Sequence, residues 1–216
     1  PIYQSLTFQL FFLGIFAVAN NLKSLGKFLE ISQGLNRVEE LKLCRIATIT
    51  SLAIMLIALF YGETILHFFG ISLDSFRIAG GVVLIIMSID MILGQKTRMG
   101  ANIEENHHKN VVYSKVISSA IIPIAIPLTT GAGTFSTIII FADAIGGDWR
   151  LYYQLLGAIL LQTVIIYLVF HYSQALLKIM GHTGMEVLIR LVGLLTLTLG
   201  IQFVTIGLRS IFPGWV

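Results

Sequence analysis

Stretches of roughly twenty mostly apolar residues follow one another along this chain, each the length a helix needs to cross a bilayer. They lie at about 7–22, 43–62, 76–94, 116–142, 151–170 and 187–208. Apolar residues make up 56% of the 216-residue chain and charged residues 12%, with a mean hydropathy of +0.88. Soluble domains are nearer a quarter charged, so the composition excludes an ordinary core-and-surface protein. An all-α integral membrane protein is predicted, in contact with the lipid bilayer. The net charge of +3 does not indicate a nucleic-acid partner. A single cysteine, Cys44, can form no intramolecular disulfide and has no metal-ligand spacing around it. No metal and no cofactor are expected. No basic segment followed by a cleavage site is visible, so no signal peptide is expected.

The basic residues divide unevenly between the connectors. Lys23, Lys27, Arg37, Lys42, Arg45, Lys96, Arg98, Lys109, Lys115, Lys178 and Arg190 fall on one side, and Arg77, Arg150 and Arg209 on the other. Basic residues concentrate in cytoplasmic loops. Both termini are therefore predicted outside, which in a bacterial inner membrane means periplasmic. Trp149, Tyr152, Tyr153 and Trp215 fit an outer aromatic belt.

One apolar window contains its own interruption. Residues 120–140 read AIIPIAIPLTTGAGTFSTIII, and the centre of that stretch holds Pro127, Gly131 and Gly133. Proline lacks an N–H and glycine weakens a helix interior. A backbone break is tolerated at membrane depth only where protein buries it or a water-filled cavity faces it. Pro123 and Pro127 are the expected helix-breaking residues.

The break has a partner. With the sequence shifted by 113 positions, 76–94 falls on 189–207, matching Arg77 with Arg190, Gly80 with Gly193, Leu84 with Leu197 and Gly94 with Gly207. The same shift places Asn20 on Gly133. Three spans per half mean that the second half enters the membrane upside down, the inverted repeat of many secondary transporters. The expected architecture is six transmembrane helices in two inverted three-helix repeats, 1–94 and 116–216. A cytoplasmic linker at 95–115 joins them, and helices 1 and 4 are broken near the bilayer middle.

At such a break the downstream half-helix begins with free N–H groups that attract an anionic group. Gly131 and Gly133 would let a ligand approach the backbone, and Thr129, Thr130 and Thr134 would supply hydroxyls. In the first half Asn20, Asn21 and Ser24 would do the same. Two breaks facing each other suit a small zwitterionic solute, its carboxylate on N–H groups and its ammonium on carbonyl and side-chain oxygens. Replacing Gly131 or Gly133 by valine is expected to abolish transport without unfolding the protein.

At these residues the sequence resembles the MarC family of bacterial inner-membrane proteins, also called the small neutral amino acid transporter family. The family's second-half pattern is Pro-Leu-Ala-x-Pro followed by Gly-Pro-Gly. Here it stands as PIAIPLTTGAGTFSTI, with Pro123, Pro127, Gly131 and Gly133 in place and Ala132 where the family has proline. The stretches 69–94 and 184–214 resemble the family's third and last spans. In the first half Asn20 and Gly26 remain, the prolines are gone, and Lys23 and Lys27 stand where the family is apolar. The resemblance implies a six-span inner-membrane transporter of small neutral amino acids such as glycine and alanine.

Ionisable residues inside spans are costly and often functional. Asp90, near the inner end of the third span, is the candidate proton or sodium site. Gln162 and Thr163 are polar in the middle of the fifth span. A non-transporting partner subunit, a stress-related scaffold and an exporter of another small solute stay open, as does a homo-oligomer. With no nucleophile–base pair and no nucleotide loop in the sequence, an enzyme is not expected.

Overall fold

The computed structural model describes residues 7–19, 21–32, 35–93 and 130–212. Among them all regular structure is helical: α1 Phe8–Val18, α2 Asn21–Ser32, α3 Arg37–Phe68, α4 Leu73–Leu93, α5 Ala132–Ala144, α6 Trp149–His171 and α7 Ser173–Ile211. Gly181 interrupts α7 with φ 61°, a left-handed conformation that favours glycine. Among the described residues four stretches are long and apolar enough to cross a membrane: Arg37–Phe68, Leu73–Leu93, Trp149–His171 and Thr183–Ile211. Two shorter apolar helices, Phe8–Val18 and Ala132–Ala144, accompany them.

Local chemistry sets the helix starts. Asn36 accepts from the Glu39 N–H while the Glu39 carboxylate accepts from the Asn36 N–H, a reciprocal box that starts α3. Asp148 caps α6 through the Arg150 N–H. Between α5 and α6 the chain turns through Gly146 and Gly147, at φ 60° and 88°.

The first span differs from its predicted bounds. The sequence anticipates an apolar helix broken around Asn20, with Lys23 and Lys27 in the connector that follows it. Helix α1 ends at Val18 and α2 starts at Asn21, where an interruption is expected, but Lys23 and Lys27 stand within a helix and not in a connector. A Cβ on Gly157 would stand 3.6 Å from the Phe8 ring, Gln162 bonds Asn21, and Phe28 stacks on Phe170 at 4.7 Å. Contacts along α6 thus advance together with α1 and then α2, so both run the same way beside it. At about 1.5 Å per residue the two helices together reach the roughly 30 Å of a bilayer core. The physical reason lies in α2's buried face, where Leu25 and Phe28 are fully buried.

Helix packing uses small residues, as expected where lipid supplies no hydrophobic drive. A Cβ on Gly81 would stand 2.6 Å from the Gly200 carbonyl oxygen, and one on Gly200 would stand 2.9 Å from the Gly81 oxygen. Gly207 meets Asp74 and Ile78 near the start of α4, and Gly193 meets Met91 near its end. Helices α4 and α7 therefore run antiparallel with their backbones in contact. Gly62 of α3 seats Ile139 of α5, and Gly80 of α4 seats Ser136 of α5. Large side chains facing outward on these spans, such as Ile86, Ile89, Leu160, Val164, Leu194 and Ile201, are apolar, a surface matched to hydrocarbon.

Candidate functional site at the two helix breaks

The open ends of α1 and α5 adjoin. A Cβ on Gly133, the second residue of α5, would stand 3.0 Å from Val18, the last residue of α1. Further out Phe141 packs on Phe11 with ring centroids 5.3 Å apart and on Gly14. The two helices are antiparallel, so the C-terminal end of α1 and the N-terminal end of α5 arrive at one place. Asn21 opens α2 beside them. The partial charges are mixed accordingly: carbonyls from α1, N–H groups from α2 and α5.

Each end is handled differently. The Ala17 carbonyl of α1 accepts from Thr196 Oγ1 at 2.7 Å, and the Ile15 carbonyl accepts from the Ala19 N–H at 2.9 Å. α5 starts at an N-cap glycine, Gly131, with no side-chain cap. The Phe135 N–H is bonded to the Gly131 oxygen, which leaves the N–H groups of Ala132, Gly133 and Thr134 with no acceptor in their own helix.

The side chains here are polar and buried. Asn21 is 4% exposed, Thr130 2%, Thr134 1%, and Ser24 and Gln162 0%. Gln162 Nε2 donates to Asn21 Oδ1 at 3.0 Å, linking α6 to the first break. Ser24 donates to the Asn21 carbonyl, and Ser136 and Thr137 donate to carbonyls of their own helix. Four polar atoms are left over: Asn21 Nδ2, Gln162 Oε1, Thr130 Oγ1 and Thr134 Oγ1 have no hydrogen-bond partner among the described residues. Such atoms cost several kcal/mol at membrane depth unless something occupies them.

The structure thus brings together Asn21, Ser24, Thr130, Gly131, Gly133 and Thr134 at the breaks. Asn20, Pro123, Pro127 and Thr129 lie outside the described residues. Asp90 sits apart, half-buried near the far end of α4. Gly133 has a tighter role than ligand access: a Cβ there would meet Leu84 at 2.5 Å as well as Val18. Valine at this position would therefore disturb packing, against the expectation that the variant stays folded. Gln162 joins the site through a pairing 141 positions away in sequence. Its mid-span polarity was the sequence signal for it.

At one end of the molecule a charged cluster joins the two halves. Arg77 of α4 meets Asp143 of α5 at 3.2 Å and Asp74 at 3.4 Å, and Ser210 of α7 donates to Asp74 at 2.7 Å.

The family description "MarC family integral membrane protein" matches residues 6–212. The chain belongs to the MarC family. It is 32% identical over 204 residues to a UPF0056 membrane protein of Buchnera aphidicola subsp. Acyrthosiphon pisum, covering 94% of this chain and 93% of that protein. Identity to the UPF0056 membrane protein YhcE of Escherichia coli strain K12 is 32%, covering 94% and 93%. The UPF0056 inner membrane protein MarC of Escherichia coli strain SMS-3-5 is 28% identical, covering 92% of each chain. No solved structure matches. An integral membrane protein of the MarC family, helical and with several apolar spans, is what these findings establish.

Proposed function

We propose that this MarC-family protein is a secondary transporter of small neutral amino acids of the glycine and alanine class. It is coupled to protons or sodium and works by alternating access around the two broken helices, as a carrier and not an enzyme. The observation that carries this reading is the group of four polar atoms with no partner among the described residues, buried where α1, α2 and α5 open. A zwitterion matches that mixture. Its carboxylate suits the free N–H groups of α5 and the threonine hydroxyls, and its ammonium suits carbonyl and amide oxygens.

The arrangement of the helices supports the inverted repeat that this mechanism needs. Moving the chain by 113 positions carries α5 onto α2, α6 onto α3 and the Thr183–Ile211 stretch onto α4, within a few residues at most ends. Packing is exchanged between halves: α5 lies on α3 and α4, and α2 lies on α6 and α7. The antiparallel pairing of α4 with α7 fits a two-fold axis in the membrane plane. Asn21 and Thr134 become equivalent under the shift, and each carries one of the unpartnered atoms. In this reading Asp90 is the candidate for ion coupling, both termini face the periplasm, and Lys178 and Arg190 lie on the cytoplasmic side.

Proteoliposomes holding the purified protein under an imposed proton or sodium gradient are expected to move labelled glycine or alanine. Flux that never exceeds that of protein-free vesicles, across a panel of small zwitterions and both ions, overturns the reading.

A further inference from the structure

We infer that the Asn21–Gln162 pair is the selectivity element of this site, with Gln162 reading the amino group of the solute and Asn21 its carboxylate. The inference rests on the transporter reading and adds a residue and a division of labour to it.

Two primary amides joined by one N–H···O bond keep further capacity on their other atoms. Here Gln162 Nε2 and Asn21 Oδ1 are used on each other at 3.0 Å. The atoms left over are complementary: Asn21 Nδ2 can only donate, and Gln162 Oε1 can only accept. Both are buried without a partner among the described residues, in side chains 4% and 0% exposed. A solute that satisfies both must itself present an acceptor and a donor a few ångströms apart. A carboxylate and an ammonium on one carbon meet that requirement, whereas a simple carboxylate or a simple amine satisfies one atom and leaves the other stranded. Sites built to hydrogen-bond a substrate group reject analogues lacking it because their own buried atoms are left unpaired.

The pair also bridges the halves. Asn21 opens α2 in the first half, and Gln162 sits in the middle of α6 in the second. Phe28 stacked on Phe170 holds the same two helices in register about two turns further along. A solute spanning both amides is therefore held between the parts that must move relative to each other in alternating access.

The test compares glycine with glycolate, acetate and methylamine, both as competitors of labelled glycine flux and as ligands that raise apparent thermal stability. It uses the wild-type protein and the Gln162→Leu, Gln162→Met and Asn21→Leu variants. Wild type is expected to prefer glycine over the three analogues by about tenfold or more, the loss of one hydrogen bond to a charged group. Gln162→Leu is expected to lose discrimination between glycine and the amine-free acetate. Asn21→Leu is expected to lose discrimination between glycine and methylamine. Gln162→Met, closer in volume to glutamine, gives the same result where leucine unfolds the protein. A Gln162 variant that folds and keeps wild-type preference for glycine over acetate overturns the inference and leaves the transporter reading standing. A wild-type protein that binds and moves none of the solutes overturns both.

Discussion

Thr196 Oγ1 donates to the Ala17 carbonyl oxygen across 2.7 Å, tying the last span to the open end of α1. The same hydroxyl lies 2.9 Å from the Val192 oxygen of its own helix. Ala17 is in the final turn of α1, where carbonyls have no intrahelical donor. Thr196 is 0% exposed, so water does not reach this bond readily. Thr196→Val keeps the shape and strands the carbonyl. It is expected to cost about 1–2 kcal/mol, read as a fall in apparent Tm, with Thr196→Ser restoring most of it. Equal Tm values for valine and threonine would show that the α1 end is satisfied some other way.

Gly133 is predicted to be a packing position. Its Cβ would meet Leu84 at 2.5 Å and Val18 at 3.0 Å, and overpacking of this kind costs about 1–3 kcal/mol. Gly133→Ala should lower Tm, and the Gly133→Ala/Leu84→Ala double variant should lose less than the sum of the two single losses. Additive losses in the double variant would remove the steric explanation. Loss of transport in a Gly133→Val protein consequently says nothing about ligand contact until the folded fraction is measured.

Two glycines should respond in opposite directions. Gly81 faces the backbone oxygen of Gly200, which cannot rotate away, so Gly81→Ala must separate α4 from α7 and destabilise. Gly26 is inside α2 with nothing among the described residues within 4 Å of a Cβ. Gly26→Ala is expected to stabilise by about 0.5–1 kcal/mol through helix propensity. Thermal unfolding of the two single variants side by side checks the pair, and a stable Gly81→Ala protein would contradict the close α4–α7 contact.

The Arg77–Asp143 bridge should contribute little to stability. Asp143 keeps 40% of its side-chain exposure and Arg77 13%, and ion pairs in contact with solvent are typically worth under about 1 kcal/mol. Asp143→Asn is expected to shift Tm only slightly, and less at high salt. A large loss that persists in high salt would mark the cluster as a structural keystone.

The long spans were legible because their apolar windows are unbroken: 151–170 became Trp149–His171, and 76–94 became Leu73–Leu93. The start of α5 just after Gly131 was legible because glycine marks it in the sequence. The end of α1 was legible through the repeat, but the helix beyond it was not, since α2 mixes Lys23 and Lys27 with a narrow stripe made by Leu25 and Phe28. An average over the window hides that stripe. The partner of Gln162 was beyond reach for another reason. Polarity in mid-span shows that a side chain needs a partner, and only the tertiary fold supplies Asn21. The packing role of Gly133 likewise depends on Leu84, which comes from a different helix.

The central claim is that the buried polar atoms at the two breaks bind a small neutral amino acid. Its most direct measurement is the apparent Tm of the purified protein against increasing glycine and alanine, because a ligand that binds only the folded state stabilises it by about 2.7 kcal/mol at a hundred times its Kd. A saturable rise in Tm with glycine or alanine, shifted to higher concentration in the Asn21→Leu protein, is the predicted result. A Tm that no small neutral amino acid moves would contradict it.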